Sequence, residues 1–209
     1  MEIWDKYYTW FYDTNVWKNM QYHGIRTLKL PSDMWNYQEI IFDRGITHVV
    51  ETGTRHGGSA LFFADTLAAR TQGGFVITVD IDAASNMIRK HERIKFLIGD
   101  SSSPKTAAKI FSLLPEERGP VFLILDSDHA RDHVLRELES LVPYLRSGDY
   151  LVVEDSSVNG HPVRHNFGPG PWEAIDEFTK RYPGTLRRDS GRERKFGATS
   201  CPNGYHEKI

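Results

Sequence analysis

The sequence predicts a doubly wound, Rossmann-like α/β domain: a mostly parallel sheet, helices on both faces, and an antiparallel hairpin at the C-terminal edge. Three observations predict it. From His48 onward, short β-branched runs alternate with helical stretches. Several of those runs are almost wholly apolar, as strands covered on both faces must be. The 209 residues are 39% hydrophobic, which suffices for one core of ordinary size. Strand–helix alternation at this length implies parallel strands joined by right-handed crossovers.

The elements follow in order. Residues 1–31 form an aromatic-rich segment with Trp4, Tyr7, Tyr8, Trp10, Phe11, Tyr12, Trp17 and Tyr22 but few aliphatics. Asp5, Lys6, Asp13, Asn15, Lys18 and Asn19 are interleaved, so this segment reads as a lid over a ligand or as an oligomer interface. Residues 32–209 read as the main domain. Ser32-Asp33 ahead of Met34, Ile40 and Ile41 predicts a capped helix feeding the first strand. Strands are expected at 48–51, 75–80, 94–98, 121–126 and 150–154. A helix is expected over 131–142, where Val134, Leu135, Leu138, Leu141 and Val142 share one face. Another is expected from Pro171 to Tyr182, with Pro171 suited to the first turn and Gly184 just beyond the end. Two weaker strands, 185–187 and 195–199, flank the turn Asp189-Ser190-Gly191 and would make the antiparallel hairpin. Such a hairpin is typical of methyltransferases and not of dinucleotide dehydrogenases.

Composition excludes several classes. Lys+Arg number 26 against 28 Asp+Glu, a formal net charge of −2, so nothing argues for nucleic acid as a partner. A mean hydropathy of −0.48 and the lack of a long apolar run argue against a membrane span. The opening MEIWDKYYTW does not resemble a secretory signal, and the single cysteine, Cys201, rules out an internal disulfide. The chain reads as soluble and cytoplasmic, with a homo-oligomer possible through its exposed aromatics.

In an open α/β sheet the ligand lies beyond the carboxyl ends of the strands. Those ends carry acids here: Glu51, Asp80, Asp126 and Glu154-Asp155, while the third strand is followed by Gly99-Asp100-Ser101. The first loop, Glu51-Thr52-Gly53-Thr54-Arg55-His56-Gly57-Gly58-Ser59, lacks the G-x-G-x-x-G spacing of a dehydrogenase. Its E-x-G-x-x-x-G form suits S-adenosylmethionine, which has no pyrophosphate and whose cationic end can use a carboxylate. Glu51, Gly53, Thr54, Gly58 and Ser59 are therefore expected around the cofactor, with Asp80 on the ribose hydroxyls and Asp100 and Ser101 at the adenine. Asp82, two residues on, reads as a helix cap. Asp126-Ser127-Asp128-His129 and Glu154-Asp155 close neighbouring strands, whose backbones lie about 5 Å apart. Carboxylates converging there need a cation, and all-oxygen ligation points to magnesium. Asp126 and Asp128 both remain candidates for the first ligand. His133 lies one helical turn beyond His129 but lacks the H-E-x-x-H pattern of a zinc site, and reads as structural or solvent-facing.

The segments Glu-Thr-Gly-Thr-Arg-His-Gly-Gly-Ser-Ala at 51–60, Leu-Asp-Ser-Asp-His at 125–129, Val-Val-Glu-Asp at 152–155, Asn-Gly-His-Pro at 159–162 and Phe-Gly-Pro-Gly-Pro at 167–171 resemble the cephalosporin hydroxylase/rhamnosyl O-methyltransferase family. The resemblance runs from about residue 30 to the C-terminus. It implies a class I S-adenosylmethionine-dependent methyltransferase fold and a magnesium ion held by Asp126, Glu154 and Asp155, with Asp126 also bordering the cofactor. The separation of 28 positions from Asp126 to Glu154 is similar to that in catechol-type O-methyltransferases. Those enzymes carry a lysine base three places after the first Asp; here that place holds His129, the candidate base. The tail from Lys195 to Tyr205 resembles the family's closing strand, although Ser200-Cys201 is more polar than expected there.

The expected reaction is Mg2+-dependent methyl transfer to a hydroxyl of a small molecule, a sugar or phenolic natural product with vicinal oxygens. Two other classes compete: a nucleotide-dependent oxidoreductase or iron hydroxylase, which would need two His and a carboxylate, and a non-catalytic adenosine-binding module. The acid-rich trio fits neither. His161, Arg164 and His165, in the long Gly/Pro-rich loop after the fifth strand, are expected to border the acceptor.

Overall fold

The computed structural model describes residues 2–88 and 90–209; Met1 and Arg89 lie outside it. Seven strands form one sheet: β3 (His48–Thr52), β4 (Phe75–Asp80), β5 (Ile94–Ile98), β6 (Val121–Leu125), β7 (Tyr150–Val153), β8 (Leu186–Arg188) and β9 (Tyr205–Lys208). Their order across the sheet is β5-β4-β3-β6-β7-β9-β8. β3 to β7 run parallel, and β9 pairs antiparallel with both β7 and β8. A small antiparallel pair, β1 (Gln21–Tyr22) and β2 (Ile25–Arg26), precedes them. The expected parallel strands thus form within a residue or so of their predicted ends.

Alternating strand residues feed two cores, as side chains of period two must. Val49, Val76, Phe122, Ile124, Tyr150 and Val152 pack with Tyr37, Ile40 and Ile41 of α2 (Pro31–Asp43) and Phe63 and Leu67 of α3 (Gly58–Arg70). Val50, Ile77, Leu123, Leu125, Leu151 and Val153 face the other way. They meet Ile110 of α4 (Pro104–Ser112), Leu138 of α5 (Arg131–Leu141) and Phe178 of α6 (Pro171–Arg181). The predicted apolar stripes of α5 and α6 are therefore core faces. No helix among the described residues is long and apolar enough to cross a membrane.

Two local readings need correction. Residues 195–199 are not a strand: Ser190–Arg194 turns into a short helix, α7, and the second antiparallel strand is β9, ten residues later than expected. The polar turn Asp189-Ser190-Gly191 misled because Asp189 caps that helix, its side chain accepting the Arg192 amide at 3.1 Å. Nor do Ser32 and Asp33 cap α2, whose N-cap is Leu30 with Pro31 as the first helical residue. Both bind the tail instead. Ser32 donates to the Ala198 carbonyl. Asp33, almost wholly buried, accepts bonds from Thr199 Oγ1 (2.6 Å), Ser200 N (2.8 Å), Ser200 Oγ (2.6 Å) and Tyr205 Oη (2.8 Å). The polar pair Ser200-Cys201 fits for this reason: the serine completes the Asp33 network, and Cys201 is buried against Tyr37. Burial raises the Asp33 carboxyl, and the four donors pull it back down.

Because Asp33 is the shared acceptor of four groups, Asp33→Ala strands them in a dry interior. Chemical denaturation is expected to show a loss of roughly 2–4 kcal/mol, the cost of several buried unpaired donors. A loss no larger than for Trp35→Ala on the exposed face of α2 refutes that role.

Candidate active site

The sheet reverses its direction of growth between β3 and β6, and the crevice opens there. The two strand ends touch. The Asp126 amide donates to the Thr52 carbonyl at 3.2 Å. Gly53, at φ +86°, crosses so closely that a Cβ would lie 1.9 Å from the Asp126 carbonyl oxygen. Glycine is required here by the neighbouring strand as much as by any ligand. The Glu154 amide in turn donates to the Leu125 carbonyl at 2.9 Å, which carries the acids of β7 to the same edge.

Above these ends lies a cavity of about 800 Å³. Of the residues expected around the cofactor, Gly53, Thr54, Gly58, Ser59, Asp80, Asp100, Ser101 and Asp126 line it. Asp80 is held by the Arg55 amide at 2.8 Å and the Asp82 amide at 3.2 Å. Asp82 closes a turn by accepting the Ala84 amide, and no helix starts there. Asp100 accepts both the amide and hydroxyl of Ser102, which lower its carboxyl. Glu51 is placed differently. It is fully buried outside the cavity wall, its Oε2 accepting Thr78 Oγ1 at 2.8 Å while Oε1 is left without a partner. Burial pushes its carboxyl up to about 7, against the opposing pull of Lys29.

The acids of β6 and β7 converge at the centre of the cavity. Asp126, His129 and Asp155 each offer a donor atom within 4.8 Å of the others. His129 Nε2 lies 3.1 Å from Asp155 Oδ2. Asp155 sits at φ +51°, a left-handed conformation that only short polar side chains tolerate readily. Glu154 lines the cavity too, but its Oε1 is taken from behind by Tyr37 Oη (3.1 Å) and Lys29 Nζ (2.8 Å). Lys29 also binds Asp126 Oδ2. Burial raises both Glu154 and Asp155; Lys29 opposes the rise at Glu154 and His129 opposes it at Asp155. Burial alone would lower Lys29, but Asp126, Glu154 and Glu51 together hold its ammonium firmly protonated. Asp128 also lines the cavity but is exposed and accepts the Ala130 amide at 2.7 Å; among the described residues it is Asp126 that clusters with His129 and Asp155.

Lys29 escaped the sequence reading because no spacing marks it; a lysine between two leucines ahead of Pro31 looks like ordinary surface. His133, expected to be structural or solvent-facing, sits in a network with Ser127 Oγ (3.0 Å) and buried Glu137 (3.7 Å), whose carboxylate raises it. It also lines the cavity. The opposite wall is aromatic: Tyr8, Phe11, Tyr12 and Trp17, with Tyr12 and Trp17 stacked at 5.9 Å between centroids. Tyr8 is anchored to Ser157 across a 2.8 Å hydrogen bond. Arg164 reaches the cavity from the loop after β7, whereas His161 stacks on Trp172 at 4.3 Å and His165 does not line the cavity.

The sequence matches the family described as Rhamnosyl O-methyltransferase/CmcI over residues 14–209. The chain belongs to this family. Rhamnosyl O-methyltransferase of Mycobacterium bovis is 45% identical over 203 residues, covering 96% of this chain and 83% of the relative. That of Mycobacterium leprae is 44% identical over 202 residues, covering 96% and 88%. A solved CmcI structure with Mg and SAM superposes with a TM-score of 0.73 at 24% identity, covering 92% of this chain and 77% of the other. This rhamnosyl O-methyltransferase/CmcI family member is an S-adenosylmethionine-dependent O-methyltransferase, and the oxidoreductase, hydroxylase and non-catalytic readings fall away.

Glu51 imposes a pH dependence on folding. Its folded value near 7 lies above the ordinary 4.5, so the folded state holds the proton longer than the unfolded chain. Stability is therefore unaffected below about 4.5, falls as pH rises through 7, and above that carries a penalty on the order of 3 kcal/mol. Urea unfolding of wild type and Glu51→Gln at about pH 5 and pH 8 tests this: the variant is expected to lose the pH-dependent component. An identical slope in both proteins refutes it.

Proposed function

We propose that this methyltransferase transfers the S-adenosylmethionine methyl group to one of two vicinal hydroxyls of a sugar or sugar-bearing natural product, at a magnesium site formed by Asp126, Glu154 and Asp155. The observation that carries this reading is the convergence of Asp126, Asp155 and His129 in the cavity, with Glu154 lining it beside them. The donors fit the ion. They are carboxylate oxygens, which hard cations prefer, and burial and mutual repulsion raise Glu154 and Asp155 even though Lys29 and His129 pull the other way. When bound, magnesium would orient the acceptor hydroxyl and lower its pKa.

The chain's own residues do the rest. Gly53, Thr54, Gly58 and Ser59 hold the cofactor's amino-acid end, Asp80 its ribose, and Asp100 and Ser101 its adenine. Glu51 supports that loop from beneath. His129 is the base. With its Nε2–H donated to Asp155, the imidazole is held in place and presents Nδ1 as an acceptor. The acceptor oxygen forms its bond to the methyl carbon as the S–CH3 bond breaks, S-adenosylhomocysteine departs, and the proton passes to His129 Nδ1. Tyr12 and Trp17 offer a stacking surface for a sugar ring. Residues 1–31 thus act as the cover of the acceptor side, and the relatives named rhamnosyl O-methyltransferase support a sugar acceptor.

Asp155→Asn tests the site cleanly, because asparagine tolerates the same positive φ. The variant is expected to lose about 100-fold or more in kcat while binding S-adenosylhomocysteine within about threefold of wild type by calorimetry. His129→Gln is expected to lose about 100-fold at neutral pH, the usual worth of a positioned base. Undiminished turnover of wild type in excess chelator overturns the metal role; undiminished turnover of His129→Gln overturns the base.

A further inference from the structure

The cluster at the centre of the site is held by a residue that the reaction does not need to touch. Lys29 is 3% exposed, and although Thr27, Leu28 and Leu30 line the cavity, Lys29 does not. Its amine lies behind the acids, on Asp126 Oδ2 and Glu154 Oε1, where Tyr37 Oη also donates. The chain is bent to deliver it. Leu28, immediately before, sits at φ +59°, a region costly for a bulky residue. The same segment is wedged against the cofactor loop: a Cβ on Gly58 would lie 2.3 Å from the Arg26 carbonyl oxygen.

We propose that Lys29 is a tethered counter-ion for the metal-binding carboxylates, holding Asp126 and Glu154 side by side from behind and supplying part of the positive charge that the cluster needs when no divalent ion is present. The inference rests on the magnesium site proposed above. Three carboxylates face one ammonium, so the cavity side keeps a negative excess that still attracts a divalent ion. Lys29 engages Asp126 Oδ2 and Glu154 Oε1, so the other oxygen of each acid would remain for a divalent ion. Lys29 acts through the acids and is a positioning residue.

Lys29→Met preserves the length of the stem and removes the charge. In chelator its melting temperature should fall well below that of wild type, because breaking a buried pair leaves uncompensated charge. Saturating Mg2+ should then raise the Tm of the variant by at least twice the increment that it gives wild type, since the ion takes over the missing charge. If the variant folds only when Mg2+ is added, the result is the same in its extreme form. Equal increments in the two proteins overturn the proposal, because a residue that merely fills space shifts both Tm values alike. The double variant Lys29→Met/Glu154→Gln removes one charge of each sign, and its Tm in chelator should return most of the way to wild type. A double variant no more stable than the single, or equally unfolded, overturns the proposal. Should wild type itself show no Mg2+ increment, the metal site fails, and the double variant in chelator still decides the role of Lys29.

Discussion

The architecture is constrained by negative charge brought to one edge of a sheet. Parallel strands β6 and β7 end side by side, and each is followed by acids at the wall of the cavity. Two carboxylates at such separations repel strongly at interior dielectric, and burial makes each harder to ionise. Everything around them answers that problem. Lys29 comes up from behind, Tyr37 donates a hydrogen bond, His129 leans on Asp155, and the cavity stays open on the remaining side. The main-chain ties between β3, β6 and β7 fix the acids at that edge through backbone geometry, so no carboxylate can relieve the repulsion by moving its strand.

The parallel sheet was legible in the sequence because a strand buried on both faces leaves an unmistakable run such as Val121–Leu125, and because an acid directly after such a run stands out. The gathering of acids at that edge was legible for the same reason: Asp126 and Glu154-Asp155 follow two such runs. What could not be read are roles assigned by tertiary contact. Ser32 and Asp33 have the composition of a helix cap, yet their partners lie some 166 residues away in Ala198, Thr199 and Ser200. Local pattern cannot distinguish an acid that caps its own helix from one that docks a distant tail. Lys29 belongs to the same class, since its meaning depends on Asp126 and Glu154, which its neighbours in sequence do not announce.

Glu51 illustrates a subtler limit. An acid two places before the first glycine looks like a cofactor contact, and it does serve the cofactor loop, but from beneath. Its Oε2 accepts Thr78 Oγ1, whose neighbour Thr54 Oγ1 lies 2.7 Å away on the cavity wall. A strand alternates its side chains, so position along the sequence tells which end of the sheet a residue occupies but not whether it faces the crevice or the layer behind it. The distinction has chemical content. A carboxyl facing the cavity would meet the cationic end of the cofactor directly, whereas a buried one with an unpaired oxygen retains its proton to about pH 7.

The aromatic N-terminal segment and the acids at the strand ends form opposite walls of one cavity. Here they are mechanically joined. Within little more than twenty residues the chain stacks Trp17 on Tyr12 at the cavity wall, hydrogen-bonds Tyr22 to Asp65 of α3, passes over Gly58, and buries Lys29 against Asp126 and Glu154. The β1–β2 hairpin lies on that path, so the aromatic wall and the ammonium are joined through a short run of paired backbone. The position of the acids fixes where residues 27–30 run, and hence the depth at which the aromatic rings stand above the reacting centre. The aromatic wall of the cavity is thus registered against the carboxylates by the buried ion pair of Lys29 as well as by loop packing.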